Sequence, residues 1–156
     1  VDPTQFGMMD KRTKAVFIIH LAATMFMVGV IWFVQIVHYP LFGAVGDTSF
    51  AAYSEAHSRL TTFVVAPPMI AELATAILLF FFRPPGISAS VLWLGLGLVG
   101  VVWLSTAFLQ VPRHAALELG FDGGAHEFLV ASNWVRTVAW SLRGGLSLWM
   151  AAKILH

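Results

Sequence analysis

The sequence predicts an all-α membrane protein built as a bundle of four transmembrane helices. The chain is 58% hydrophobic and only 11% charged, and its mean hydropathy is +0.81. Its apolar residues also fall in four long runs, not in the short alternating segments of a membrane barrel. A soluble domain is about 45–50% apolar and about 25% charged, so a water-soluble globule is excluded, as is a disordered tail. The 156 residues allow a single domain, residues 1–156. A net charge of +1 leaves no polybasic face for phosphates, which excludes nucleic acid as a partner. With no cysteine there is no disulfide, no thiolate metal site and no thiol nucleophile.

A helix needs about 20 mostly apolar residues to cross the hydrocarbon core. Four stretches satisfy this, at about residues 15–37, 60–82, 88–111 and 128–152. The first is too long for a cleavable signal and lacks the Ala-x-Ala pattern behind it. Asp47-Thr48-Ser49 reads as a helix cap, and Phe50, Tyr53, His57 and Leu60 follow at helical spacing. A short amphipathic helix is therefore expected in the first outer loop, leading into the second span. Pro67-Pro68 should bend that span, and Arg83-Pro84-Pro85-Gly86 forms a minimal inner turn. Gly95, Gly97 and Gly100 in the third span, and Gly144-Gly145 in the fourth, permit close helix contact.

Orientation follows from the basic residues. Lys11, Arg12, Lys14, Arg83 and Lys153 lie on one side against Asp2 and Asp10. Arg59 and Arg113 lie on the other against Asp47, Glu55, Glu118, Asp122 and Glu127. The positive-inside rule puts both termini in the cytoplasm, with the chain in a bacterial-type inner membrane.

Of seventeen charged residues, fourteen obey this topology, and Glu72, Arg136 and Arg143 fall inside the spans. Each costs at least about 2.5–3.5 kcal/mol at a helix centre, so such groups face the bundle interior and pair. At a rise of about 1.5 Å per residue, Glu72 and Arg143 share one depth and should form an ion pair, with Arg136 about 10 Å further out. Asn133, Arg136, Trp140, Arg143 and Ser147 form one stripe on the fourth helix. Either the stripe is a polar seam fixing register, or its arginines line a cavity and stabilise an oxyanion.

His38, His57, His114 and His126 fall at outer helix ends or in outer loops, with Gln35 and Gln110 just beneath. Two readings stand for them, as interfacial caps or as a site for zinc, copper or iron. His20, near the inner end of the first helix, reads as a packed polar residue, and Trp103 and Trp140 as packing.

The segments Gln110-Val111-Pro112-Arg113-His114-Ala115-Ala116-Leu117 and Ser132-Asn133-Trp134-Val135-Arg136-Thr137-Val138-Ala139, with Tyr39-Pro40-Leu41 after the first helix, carry a resemblance. The chain resembles the anthrone-oxygenase-like family of small four-helix membrane proteins, loosely over its length and better over its second half. Gln110 and His114 depart from it, standing where that family has asparagines, and His57 and His126 are not features of it. The resemblance implies oxygenation of an electron-rich polyphenolic ring without an obvious protein-bound metal, and carries over to Gln110, His114, Asn133 and Arg136.

The functional expectation is a polar pocket near the outer face. In one reading the chain is an oxidoreductase or oxygenase for a lipophilic aromatic or quinone-like molecule. His114 is then the general base, Arg136 and Asn133 hold the oxyanion, and Gln35 and Gln110 orient the ligand, above the Glu72–Arg143 pair. The alternatives are an accessory subunit of a larger membrane complex, associated with a pigment or haem, and a metal-binding protein using His38, His57, His114 and His126. The bilayer is the common partner, with a homo-oligomer also open.

Overall fold

The structure, a computed structural model, describes residues 5–155; Asp2, assigned to the inner side by its sequence position, lies outside them. Among the described residues every regular element is helical. A short α1 (Gln5–Met8) precedes α2 (Lys11–Phe33). The helix continues through a π-helical turn at Val34–His38 and a 3-10 turn at Pro40–Ala44. Then come α3 (Asp47–Leu78), α4 (Ala89–Ser105), a second π-helical turn (Thr106–Gln110), α5 (Val111–Leu117) and α6 (Gly123–Leu155).

Local chemistry explains the element ends. Asp10 caps α2, accepting from the backbone N–H groups of Arg12 (2.8 Å) and Thr13 (3.1 Å). The hydroxyl and the N–H of Thr13 together hold its carboxyl below the usual aspartate value. The cap contribution is thus present above the ordinary aspartate range and lost as pH falls through the lowered pKa. Both π turns lie just before a proline, Pro40 and Pro112, whose missing N–H leaves a carbonyl of the preceding turn without its donor. There the turn widens: Tyr39 N–H reaches the Val34 carbonyl (3.0 Å) and Val111 N–H the Thr106 carbonyl.

α3 differs from the sequence expectation. The amphipathic segment and the second span form one helix of 32 residues, which runs on through Pro67 and Pro68. Its cap is Gly46, at φ +83°, not the Asp47-Thr48-Ser49 run. Glycine alone takes that turn without strain, and Asp47 in the first turn suits the positive end of the helix dipole.

α2 packs on α3 and α6, and α4 packs on α6 and α3. Three apolar layers fill the bundle. One, with Phe17, Leu79, Ile87, Leu92 and Ile154, packs the start of α2, the end of α3, the start of α4 and the end of α6 together. A middle layer holds Met27, Ile31, Met69, Val102 and Trp140. The third, with Phe42, Phe50, Leu117 and Leu129, closes the opposite end.

Large apolar side chains, among them Phe63, Phe81, Trp93, Phe108 and Leu148, are exposed along the helices, while Glu72, Asn133, Arg136 and Arg143 are buried. This polarity is the reverse of a water-soluble protein and suits hydrocarbon as solvent. Three helical stretches, Lys11–Ala44, Asp47–Leu78 and Ala89–Leu117, are long and apolar enough to cross a membrane. α6 is as long, at 33 residues, but its buried polar stripe lowers its hydropathy.

The glycines separate by face. A Cβ on Gly144 would meet Val28 Cγ2 at 2.9 Å, so α6 and α2 touch there, whereas Gly97, Gly100 and Gly145 have nothing within 4 Å. Of the third-span glycines only Gly95 lies against another helix, beside Leu146 and Arg143. Gly144→Ala is expected to destabilise the bundle by about 1–3 kcal/mol through overpacking. Gly145→Ala should be neutral or stabilise by up to about 1 kcal/mol through helix propensity. Unfolding of the two variants in mixed detergent micelles compares them directly.

Candidate functional site

Two polar tiers lie inside the bundle, separated by the Met27–Trp140 layer. The inner tier centres on Glu72 of α3. Its Oε1 accepts from Arg143 Nε (2.8 Å) and Thr24 Oγ1 (2.9 Å), and its Oε2 accepts from Trp140 Nε1 (2.9 Å). The Glu72 and Arg143 side chains are 2% and 1% exposed. Arg143 Nη1 donates to the Gly95 carbonyl of α4. The expected ion pair is therefore present, and through it one carboxylate and one guanidinium tie together α2, α3, α4 and α6. Nearby, His20 Nδ1 meets Thr75 Oγ1 at 3.0 Å, so His20 is packed in the core as expected.

The outer tier centres on Arg136. Among the described residues no carboxylate pairs with it; it donates instead from Nε and Nη2 to Asn133 Oδ1, and from Nη2 to Gln110 Oε1 (3.2 Å) and the Tyr39 hydroxyl (3.2 Å). A guanidinium only donates, which orients everything around it. Asn133 turns its oxygen to Arg136 and its NH2 to Gln35 Oε1 (2.8 Å). Gln35 passes its own NH2 to the Val130 carbonyl (3.2 Å), and Gln110 directs its NH2 to Ser132 Oγ (2.9 Å). The Tyr39 hydroxyl, which accepts from Arg136, shares a second hydrogen bond with His114 Nε2 (2.9 Å). That bond engages one ring nitrogen of His114, and the other, Nδ1, is buried without a partner.

The four outer histidines do not converge on one point. His38 Nε2 and His57 Nδ1 share a hydrogen bond (2.8 Å), and Thr61 Oγ1 also lies 3.1 Å from His57 Nδ1. His114 lies beside His57, with ring centroids 5.3 Å apart. His126 turns away and bonds the Tyr39 carbonyl through Nε2 (2.8 Å). Among the described residues no group of three or more His, Asp or Glu is arranged to hold a metal ion. One ring nitrogen of each is engaged: His38 Nε2 and His57 Nδ1 with each other, His114 Nε2 with the Tyr39 hydroxyl and His126 Nε2 with the Tyr39 carbonyl.

Beside the histidine pair, between α2 and α3, lies a cavity of about 640 Å³ that opens to the apolar exterior. Gly29, Val30, Phe33, Leu60, Val64 and Val65 form its walls, and His38, Tyr53, His57 and Thr61 supply its polar atoms. His57 is thus the sequence-selected residue that links the polar interior to a ligand-sized space. The structure brings the sequence-selected Gln35, Gln110, Asn133 and Arg136 together, with Gln35 bonded to Asn133 and Gln110 to Arg136 and Ser132. Sequence reasoning missed Tyr39, Thr24 and the indole of Trp140 as hydrogen-bonding centres. The available signals were that Thr24 stands one turn from His20, and that Tyr39 immediately precedes the proline that ends a span. No family model, no curated protein and no solved structure matches the chain.

Glu72→Ala strands Arg143 in the interior and is expected to cost about 3–5 kcal/mol, with Arg143→Ala similar. The double variant Glu72→Met/Arg143→Met, which leaves no unpaired charge, should recover most of that loss. Thermal unfolding of the three proteins in one detergent measures the difference.

Proposed function

We propose that the chain is an integral membrane protein with four spanning helices and both termini in the cytoplasm. In this reading it takes a lipophilic aromatic, quinone-like molecule from the bilayer. The observation that supports this reading is the α2–α3 cavity, whose size lies within the range of about 300–1,000 Å³ typical of small-molecule sites. Its walls are apolar and its few polar atoms gather around His57 and His38, so the ligand oxygen meets imidazole while the ring and tail lie against valine, leucine and phenylalanine. Among the described residues no Lys, Arg, Asp or Glu lines the cavity, which favours a neutral head over a phospholipid headgroup. Oxidation or oxygenation of that ligand is what the anthrone-oxygenase-like resemblance implies; the rings of His114 and Tyr39 lie beside His57, with centroids 5.3 and 6.3 Å away.

Two measurements test the reading. A cysteine-free chain suits topology mapping. A membrane-impermeant maleimide added outside intact cells should label Leu119→Cys, at a site 91% exposed, and leave Ser88→Cys unlabelled; the opposite pattern overturns the orientation. For the ligand, a benzoquinone with a short alkyl tail is titrated into the protein in nanodiscs. Gly29→Leu should abolish saturable binding by filling the cavity, since nothing lies within 4 Å of a Cβ there to disturb the fold. His57→Phe should weaken binding about tenfold, the equivalent of one hydrogen bond of about 1.4 kcal/mol. Equal binding by both variants and the parent protein would refute the site.

A further inference from the structure

The net charge of +1 is a sum over two ends of opposite sign. The starts of α2 and α4 and the ends of α3 and α6 meet at one end of the bundle, packed around Phe17, Leu79, Leu92 and Ile154. Among the described residues that end carries Lys11, Arg12, Lys14, Arg83 and Lys153 against a single carboxylate, Asp10. The opposite end carries Arg59 and Arg113 against Asp47, Glu55, Glu118, Asp122 and Glu127. Lys11, Arg12, Arg83 and Lys153 are exposed, and Lys14 is half-buried.

Among the described residues no carboxylate pairs with these five cations. The ion pair they contain is Glu72–Arg143, deep in the bundle, and Asp10 is taken up by the N–H groups of Arg12 and Thr13 and by the Thr13 hydroxyl. Lys11, Arg12 and Lys14 stand at the start of α2, where the helix dipole favours anions, so their charge works against the helix that carries it. The surrounding chain gathers the charge. Lys14 Nζ donates to the Gly7 carbonyl (3.1 Å) and lies 5.3 Å from the Phe6 ring centroid, which ties α2 to α1. Gln5 of α1 and Lys153 of α6 close on Gly86, three residues after Arg83. A Cβ on that glycine would lie 3.1 Å from Gln5 Oε1 and 3.6 Å from Lys153 Cε.

The adjoining surface selects the anion. Phe81, Trp93 and Trp149 are exposed. Trp93 lies one turn into α4, and Trp149 lies one turn before Lys153, whose Nζ is 5.3 Å from its ring centroid. Cations outermost and exposed indoles one turn deeper match the charged surface and the headgroup level of a bilayer. A soluble polyanion reaches only the cations, whereas a phosphate tethered to acyl chains reaches cations and rings together. We propose that this end of the bundle binds anionic phospholipids, their headgroup phosphates held by Lys11, Arg12, Arg83 and Lys153 and the lipid body lying against Trp93 and Trp149. Binding requires that the chain cross a bilayer, in either orientation, and is independent of the α2–α3 cavity. The headgroup preference acts through exposed charge, so salt weakens it.

Tryptophan quenching by lipids brominated on their acyl chains tests this. The protein is reconstituted in phosphatidylcholine bilayers doped with brominated phosphatidylglycerol or, at the same fraction, with brominated phosphatidylcholine. At low salt the anionic lipid should quench more strongly, with a relative binding constant of about five or more, the equivalent of one cation at an anionic surface. The preference should shrink at about 1 M salt, where charges are screened beyond about 3 Å. Lys11→Gln/Arg12→Gln/Arg83→Gln removes three exposed cations, two of them opposed by the dipole of α2, and should bring the ratio close to one. Arg59→Gln/Arg113→Gln, at the opposite end, should leave it as in the parent. A parent ratio of one, a ratio unmoved by the triple variant, or an equal fall in the Arg59/Arg113 variant overturns the proposal. So does loss of the preference when inorganic phosphate is added at constant ionic strength, which marks a site for free phosphate. Quenching by neither lipid overturns the spanning reading along with it. Should the triple variant not fold, Lys153→Gln takes its place, with a smaller fall in the ratio expected and an unmoved ratio again overturning the proposal.

Discussion

Burying a carboxylate and a guanidinium in an apolar interior carries a desolvation cost of several kcal/mol per ion, recovered only where geometry is close and the remaining lone pairs and hydrogens are bonded. The Glu72–Arg143 pair meets most of that requirement. Both carboxylate oxygens are used, one by Arg143 and Thr24 and the other by Trp140, and the guanidinium reaches on to a backbone carbonyl of α4. Every one of these partners sits on a different helix from Glu72. In hydrocarbon there is no hydrophobic force between helices, so packing and interhelical hydrogen bonds hold the bundle together. A pair that engages all four long helices fixes their rotation and depth at once, and the outer tier depends on that registration.

The outer tier solves a different problem, a buried cation with no anion. Arg136 is 8% exposed and is solvated by neutral oxygens whose orientation it dictates. Each amide that turns its oxygen inward must dispose of its NH2 group, and the chain from Asn133 through Gln35 to the Val130 carbonyl does so without leaving an orphan. The dipoles therefore align with their negative ends toward the guanidinium. Such a fully connected network rigidifies its surroundings, which here means the wall behind His57. The one interruption is His114 Nδ1, and it lies on the side chain that ends the network.

How much of this was legible beforehand depended on the reach of each signal. The long apolar runs and the three intramembrane charges fixed the helical class, and equal depth counted along two helices was enough to pair Glu72 with Arg143. The outer tier was grouped correctly because Asn133 and Arg136 share a helix face. The partners Thr24 and Trp140 were invisible because neither residue type signals a hydrogen bond to a carboxylate until two helices are docked. Gly46 as the start of α3 was missed because Asp47-Thr48-Ser49 carries the stronger capping composition, while backbone reversal at φ +83° decided the boundary. The π turns were missed as well, although each is tied to a visible proline. An extra residue per turn changes which side chain faces inward, and Gln35, Tyr39 and Gln110 all follow from it.

The widened turns also decide which side chains reach the cavity and which reach the buried network. A regular helix through Val34–His38 would step each following side chain around by about 100° per residue; the widened turn resets this phase between Gln35 and Tyr39. Gln35 can then bond Asn133 while Tyr39 still turns its hydroxyl to Arg136 and His114, and His38 is left facing His57 at the cavity. The proline that forces the turn thus separates two neighbouring residues between two environments, Tyr39 into the sealed network and His38 onto the lipid-side opening. His38 and His57 thus line the cavity, while Tyr39, its ring centroid 6.3 Å from that of His57, joins Arg136 and His114 in the buried network.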